Sequence, residues 1–189
     1  MKKLNKALLL ALCAVLLVTA SVMGTLAYLT HTTGPVTNTF TVGNVSISLD
    51  EAKVDVYGEL DGNTRVTENT YKLIPGHEYV KDPTIHVNAD SEECWVFIKM
   101  NNGLGAAAAI TINEGWTLVE TAADGLVYAY NSTLKANQST TALFEGFTFD
   151  GEANPEDFDG ETITLTGYAV QAEGFATAAA AWAAGFGSN

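Results

Sequence analysis

From Phe40 onward, apolar side chains return at every second position, and turn residues interrupt them at short intervals. A side-chain period of two belongs to an extended strand, whose residues alternate between the two faces of a sheet. Phe40 and Val42 point one way, while Val45, Ile47 and Leu49 continue the alternation shifted by one, with Gly43-Asn44 absorbing the shift as a bulge or kink. Ile85 and Val87 alternate around His86, and Leu126, Tyr128 and Tyr130 form one face of another strand. Cys94 to Met100 is apolar on both faces, as suits the central strand of a sandwich. Leu143, Glu145 and Phe147, with Phe144 and Phe149, read as a second two-sided strand. Ile163 and Leu165, then Tyr168, Val170 and Ala172, read as the last long one. Ile110 and Ile112, then Trp116 and Leu118, flank the turn-like Asn113-Glu114-Gly115.

Turn punctuation falls between these runs at Asp61-Gly62-Asn63, Pro75-Gly76, Asn102-Gly103, Asp124-Gly125, Asp150-Gly151 and Asp159-Gly160. No long helical period separates them. The pattern predicts an all-β fold, an antiparallel β-sandwich over residues 41–189. The exception is alanine-rich: Ala176 and Ala178 to Ala184, broken only by Trp182, lead to Gly185. That run predicts a short C-terminal helix, with Phe175 and Trp182 on one face docked against the sandwich.

The start of the chain has a different character. Lys2, Lys3 and Lys6 precede an apolar stretch from Ala7 to Val18, and Thr19 to Ala27 is more polar with small residues. This is the layout of an export signal over residues 1–27. Thr25 and Ala27 stand where the peptidase reads small side chains, so cleavage is expected between Ala27 and Tyr28. An uncleaved anchor is the alternative, since Ala7 to Leu29 carries no charge and is long enough to span a bilayer. Export predicts a secreted domain, in the extracellular matrix or at the cell surface, with membrane contact only before cleavage. All 22 acidic residues lie at Asp50 or beyond, and loss of the leader leaves six bases against them, a formal charge of −16. Such a surface is unsuited to nucleic acid, whose binding rests on neutralising phosphates with Lys and Arg. Of the two cysteines, Cys13 falls in the leader and Cys94 in an apolar strand. The mature chain therefore has no internal disulfide, and Cys94 reads as a buried, inert thiol.

Little in the sequence points to catalysis. His31, His77 and His86 lack zincin spacing, and no nucleophile elbow, phosphate loop or dinucleotide fingerprint is present. No catalytic residue, cofactor or metal ligand is nominated, and the chain is not expected to be an enzyme. The loop Asp150 to Glu161 offers hard oxygens of the kind calcium takes, but it lacks the EF-hand register and reads as a solvated acidic loop. Asn44-Val45-Ser46, Asn131-Ser132-Thr133 and Asn137-Gln138-Ser139 match the glycosylation triplet.

The segment Met23-Gly24-Thr25-Leu26-Ala27-Tyr28-Leu29-Thr30, followed by Asn38-Thr39-Phe40-Thr41-Val42-Gly43-Asn44-Val45-Ser46-Ile47, resembles the start of the TasA/camelysin family. Leu73-Ile74-Pro75-Gly76 is similar to that family's Leu-x-Pro-Gly turn. The resemblance implies release by a signal peptidase of the SipW kind and a jelly-roll-like sandwich that self-assembles into fibres of the biofilm matrix. It further implies a head-to-tail homopolymer in which the N-terminal segment of one subunit completes the sheet of the next. Residues 28–40 are then the candidate donor strand, with Tyr28, Leu29, Val36, Asn38 and Phe40 along it. Tyr28 to Asn38 is uncharged apart from His31, and Val36, Phe40 and Val42 share a phase, as strand addition needs. Two other readings compete. One is a secreted adhesin or carbohydrate-binding module using Trp95, Trp116 or Trp182 as platforms. The other is a camelysin-like metallopeptidase, for which the chain carries no motif.

Overall fold

A computed structural model describes residues 44–187. The expected leader, the expected cleavage pair Ala27 and Tyr28, His31, and the candidate donor segment with Leu29, Val36, Asn38 and Phe40 lie outside the described residues. Ten strands are described, and every pairing between them is antiparallel. They are β1 (Ile47–Val54), β2 (Leu60–Val66), β3 (Glu78–Val80), β4 (Thr84–Val87), β5 (Cys94–Asn102), β6 (Ala108–Ile110), β7 (Trp116–Ala122), β8 (Gly125–Tyr130), β9 (Gly146–Phe149) and β10 (Ile163–Gln171). A helix, α1 (Ala178–Gly185), follows. The strands form three sheets, in the orders β2-β1-β4, β10-β5-β8-β7 and β3-β9-β6. The antiparallel sandwich and the closing helix are thus as the residue pattern predicts.

The four-stranded sheet is covered on both faces, which explains why β5 is apolar on both. Cys94, Val96, Ile98 and Met100 point to one side, where they meet Ile85 and Val87 of β4 and the side chains of Ile47 and Leu49 from β1. Phe97, with Trp95 beside it, points to the other, where Ala181 and Trp182 of α1 cover it. The neighbouring strands divide in the same way. Leu165 and Tyr128 join the first cluster, and Val170 and Val127 join the second. Burying a side chain of this size stabilises by roughly 1.5–3 kcal/mol relative to leaving it in water. An eight-residue helix is marginal alone, so α1 depends on that docking. Thr177 caps it, its hydroxyl accepting the Ala180 N–H at 3.2 Å. A third cluster fills the small sheet, where Tyr79 stacks on Phe147 with ring centres 4.8 Å apart.

Three local expectations change. Asp61-Gly62-Asn63 does not end a strand but lies within β2, where Asp61 to Thr64 stand opposite Lys53 alone. The turn chemistry is expressed as a bulge, and Gly62 supplies its positive φ of 81°. Ile112 does not continue the strand of Ile110, because β6 ends there, and the expected turn at Asn113-Glu114-Gly115 leads to β7 in a different sheet. Leu143 and Phe144 are fully buried yet precede β9, their apolar surface plugging the core from a loop. Asp124-Gly125 does close a hairpin, between β7 and β8. A Cβ on Gly125 would lie 2.6 Å from the carbonyl oxygen of Met100, so the turn admits no larger residue there.

Candidate functional site

β10 is the outermost strand of its sheet, hydrogen-bonded to β5 along its whole nine-residue length. Among the described residues no strand pairs with its other edge. That edge lines an open groove of about 1270 Å³. Leu49, Leu104, Phe147, Ile163 and Leu165 give the groove an apolar lining. Glu68, Glu156, Asp159 and Glu161 add acidic groups. An exposed row of backbone N–H and C=O groups beside apolar side chains is a template for another strand. The alternation of Ile163 and Leu165 marks β10 as a strand, but nothing in it says that this strand ends its sheet.

A polar corner adjoins the groove where β4 stops pairing with β1, at Asp50 opposite Thr84. Beyond that point side chains take the place of a strand. Ala52 N–H donates to Asp82 Oδ1 at 2.6 Å, and the Asn69 carboxamide accepts from Val54 N–H at 3.1 Å and donates to Ala52 C=O at 2.9 Å. Arg65 binds both Asp50 and Asp82, reaching Asp82 Oδ2 at 2.8 Å and both backbone carbonyls at 3.1 Å. Burial alone lowers the pKa of the guanidinium, but the hydrogen bonds and charges of the two aspartates outweigh it and hold the pKa above the ordinary arginine value. Behind Arg65, Lys81 Nζ donates to Glu51 Oε2 at 2.5 Å, and both residues are buried. Asn69 Nδ2 donates to the other oxygen of Glu51 at 2.9 Å. Tyr71 lies beside them, its phenol pushed well up by burial and then by the Glu51 charge. These contacts join residues far apart in the chain, which sequence spacing could not reveal.

The two described histidines serve different parts of the fold. His77 Nε2 meets the Tyr57 carbonyl at 2.8 Å, and its ring packs edge-on against Tyr79. His86 lies between Ser139 Oγ at 2.7 Å from Nδ1 and Asp50 Oδ1 at 2.9 Å from Nε2. In the neutral ring, Nε2–H donates to Asp50 and Nδ1 accepts the hydroxyl. The three residue types are those of a hydrolase triad, but the nitrogens are reversed and Arg65 already neutralises the carboxylate. The array works as a strut, tying residues 137–140 to the free side of β4 beside the bridge between His86 and Ser139.

The remaining candidates are structural. Asp150 Oδ1 accepts the Glu152 N–H at 2.9 Å, and Asn154 caps the short turn Pro155–Phe158. Phe158 packs edge-on to Phe149. Among the described residues no three His, Cys, Asp or Glu side chains converge as a metal site would need. Trp116 and Trp182 are buried and Trp95 is half-buried, so none presents an open aromatic platform. Cys94 is free and fully buried, and burial pushes its thiol pKa up. No family model matches the chain, and neither a curated protein nor a solved structure matches it.

Proposed function

We propose that this chain is a secreted structural subunit that assembles head to tail, the segment 28–40 of one copy lying along β10 of the next, as the TasA/camelysin resemblance implies. The observation that carries the reading is the outer edge of β10, unpaired among the described residues, beside an apolar-lined groove. Length agrees: an extended strand rises about 3.3 Å per residue, so thirteen residues are enough to run the nine of β10. Charge agrees too. Cleavage before Tyr28 creates a positive amino terminus on an otherwise uncharged segment, and the groove carries Glu68, Glu156, Asp159 and Glu161. A head-to-tail contact does not close on itself and therefore propagates as a filament. The leader keeps the segment at the membrane until cleavage, which confines assembly to the outside of the cell. Added salt should speed assembly, because a charge of −16 per subunit resists close approach and screening relieves it.

Two purified forms test this by electron microscopy and light scattering, one starting at Tyr28 and one at Val42. The longer form is expected to make filaments, and the shorter to stay a folded monomer. Filaments from the form starting at Val42 would remove the donor role. Folded monomers from both would remove the assembly reading.

A further inference from the structure

Asn69 caps the β1 backbone at Ala52 and Val54, but its contact with Glu51, and that of Glu51 with Lys81, are ones that strand pairing does not require. Lys81 is 7% exposed and Glu51 4% exposed, and Asn69 is half-buried. A lysine ammonium has three N–H donors. Among the described residues its Nζ reaches one acceptor, Glu51 Oε2 at 2.5 Å, and otherwise faces the Tyr71 ring at 5.8 Å. The ammonium is therefore under-partnered where it is buried. A secondary amide nitrogen, with one N–H, would match that single acceptor.

The carboxamide opposite is held as a reactant would be. Asn69 Oδ1 accepts the Val54 N–H at 3.1 Å, which polarises the C=O and would stabilise an oxyanion there. Asn69 Nδ2 donates to Glu51 Oε1 at 2.9 Å. One carboxylate thus holds both the nucleophile and the leaving group, and can move a proton from one to the other. We propose that Lys81 and Asn69 become joined by an intramolecular isopeptide bond, with Glu51 as its acid–base catalyst.

The step balances without an oxidant or a second reactant. Glu51 takes a proton from the Lys81 ammonium, and the freed lone pair attacks Asn69 Cγ, forming the C–N bond. The carbonyl electrons move to Oδ1 on the Val54 N–H. Collapse of the tetrahedral carbon breaks the Cγ–Nδ2 bond, and Nδ2 leaves as ammonia after taking up one of the protons that began on Nζ. Of those protons, one remains on the new amide, one departs with the ammonia, and one stays on Glu51 until it is lost to solvent. The product carries one buried amide where there had been an ion pair and a carboxamide. The bond ties the segment after β2 to the end of β3 and does not depend on whether the groove receives a strand.

Tryptic peptide mapping of the folded wild-type protein tests the proposal, and needs no variant. Acylation of Lys81 blocks cleavage there. The expected product is Val66–Lys72 branched onto Leu73–Lys99, lighter than the two together by one ammonia. Separate Val66–Lys72, Leu73–Lys81 and Asp82–Lys99 peptides would overturn it. So would ammonia loss on Val66–Lys72 alone with Lys81 still cleaved, which is what a succinimide at Asn69 gives. In a folded E51Q protein the branched peptide is expected to fall at least tenfold, and an undiminished yield would remove Glu51 from the catalyst role. N69A is expected to abolish the branched peptide altogether, and its persistence would show that the acyl donor lies elsewhere.

Discussion

The sheet around β5 and the corner around Arg65 are held by different means. Around β5, contact is between apolar surfaces on two faces, and almost every side chain is out of water. Around Arg65, contact is between charges and amides at partly solvated sites, each with a named partner. The first kind tolerates no change of polarity but is indifferent to direction. The second depends on direction, and water competes with it. The two regions should therefore respond to substitution by different amounts.

Cys94→Asp is expected to have the largest effect, a loss of several kcal/mol, because it places an unpaired charge in a fully enclosed position of β5. Chemical denaturation would measure it, and a near-native midpoint would mean that β5 is not the sheet's centre. Trp182→Ala should cost roughly 3–5 kcal/mol and free α1, since the indole packs against Phe97, Tyr168 and Phe186 and its N–H is bound by Glu120. Loss of the helical circular dichroism signal would accompany it. Arg65→Ala should cost roughly 1–2 kcal/mol, less than a buried charge-assisted pair would, because a third of the side chain is exposed and solvent screens it. A loss as large as that of Trp182→Ala would erase the distinction between the two regions. Lys53→Ala should change stability by less than about 0.5 kcal/mol, since Lys53 and Asp61 meet in open solvent.

Titration sharpens the same comparison. Burial raises the pKa values of Cys94, Tyr79 and Tyr128 above the ordinary 9.0 and 10.0, and that of Tyr71 still further with help from Glu51. A raised folded-state value means that the unfolded chain ionises first. The corresponding stability is complete below the ordinary values and is lost as pH rises past them. Denaturation midpoints should accordingly hold steady near neutrality and fall above about pH 9. Native Cys94 should react slowly with thiol reagents and quickly once denatured, and rapid native labelling would contradict its enclosure.

What could be read from the sequence follows the same division. β5, β10 and α1 were legible because apolar burial imposes a period, and the period survives in the residues. β2 was not, because Leu-Asp-Gly-Asn-Thr-Arg-Val is exposed on both faces and adds only polar contacts, Asp61 to Lys53 and Arg65 to Asp50, to its backbone pairing. Leu143 and Phe144 signalled burial correctly but not the loop that delivers them. The polar corner left no trace, since Asp50, Arg65, Asp82 and His86 meet only after three strands have been placed. The position of β10 at the edge of its sheet among the described residues is likewise a property of sheet order, which no local pattern encodes.

Gly167, in the middle of β10, has a mechanical consequence. The missing side chain leaves a notch, and a Cβ built there would touch Ile47 at 3.4 Å, Leu49 at 3.6 Å and Ile85 at 3.7 Å from the facing sheet. Those three side chains act as teeth seated in the notch. For one sheet to slide along the other, the teeth would have to climb over the neighbouring Leu165 or Ala169, and the layers would have to separate first. Peeling a strand from the edge asks for no such climb. Under tension the domain should therefore be stiff along its strands and weak across them, and a subunit pulled through its termini will yield according to the direction of load.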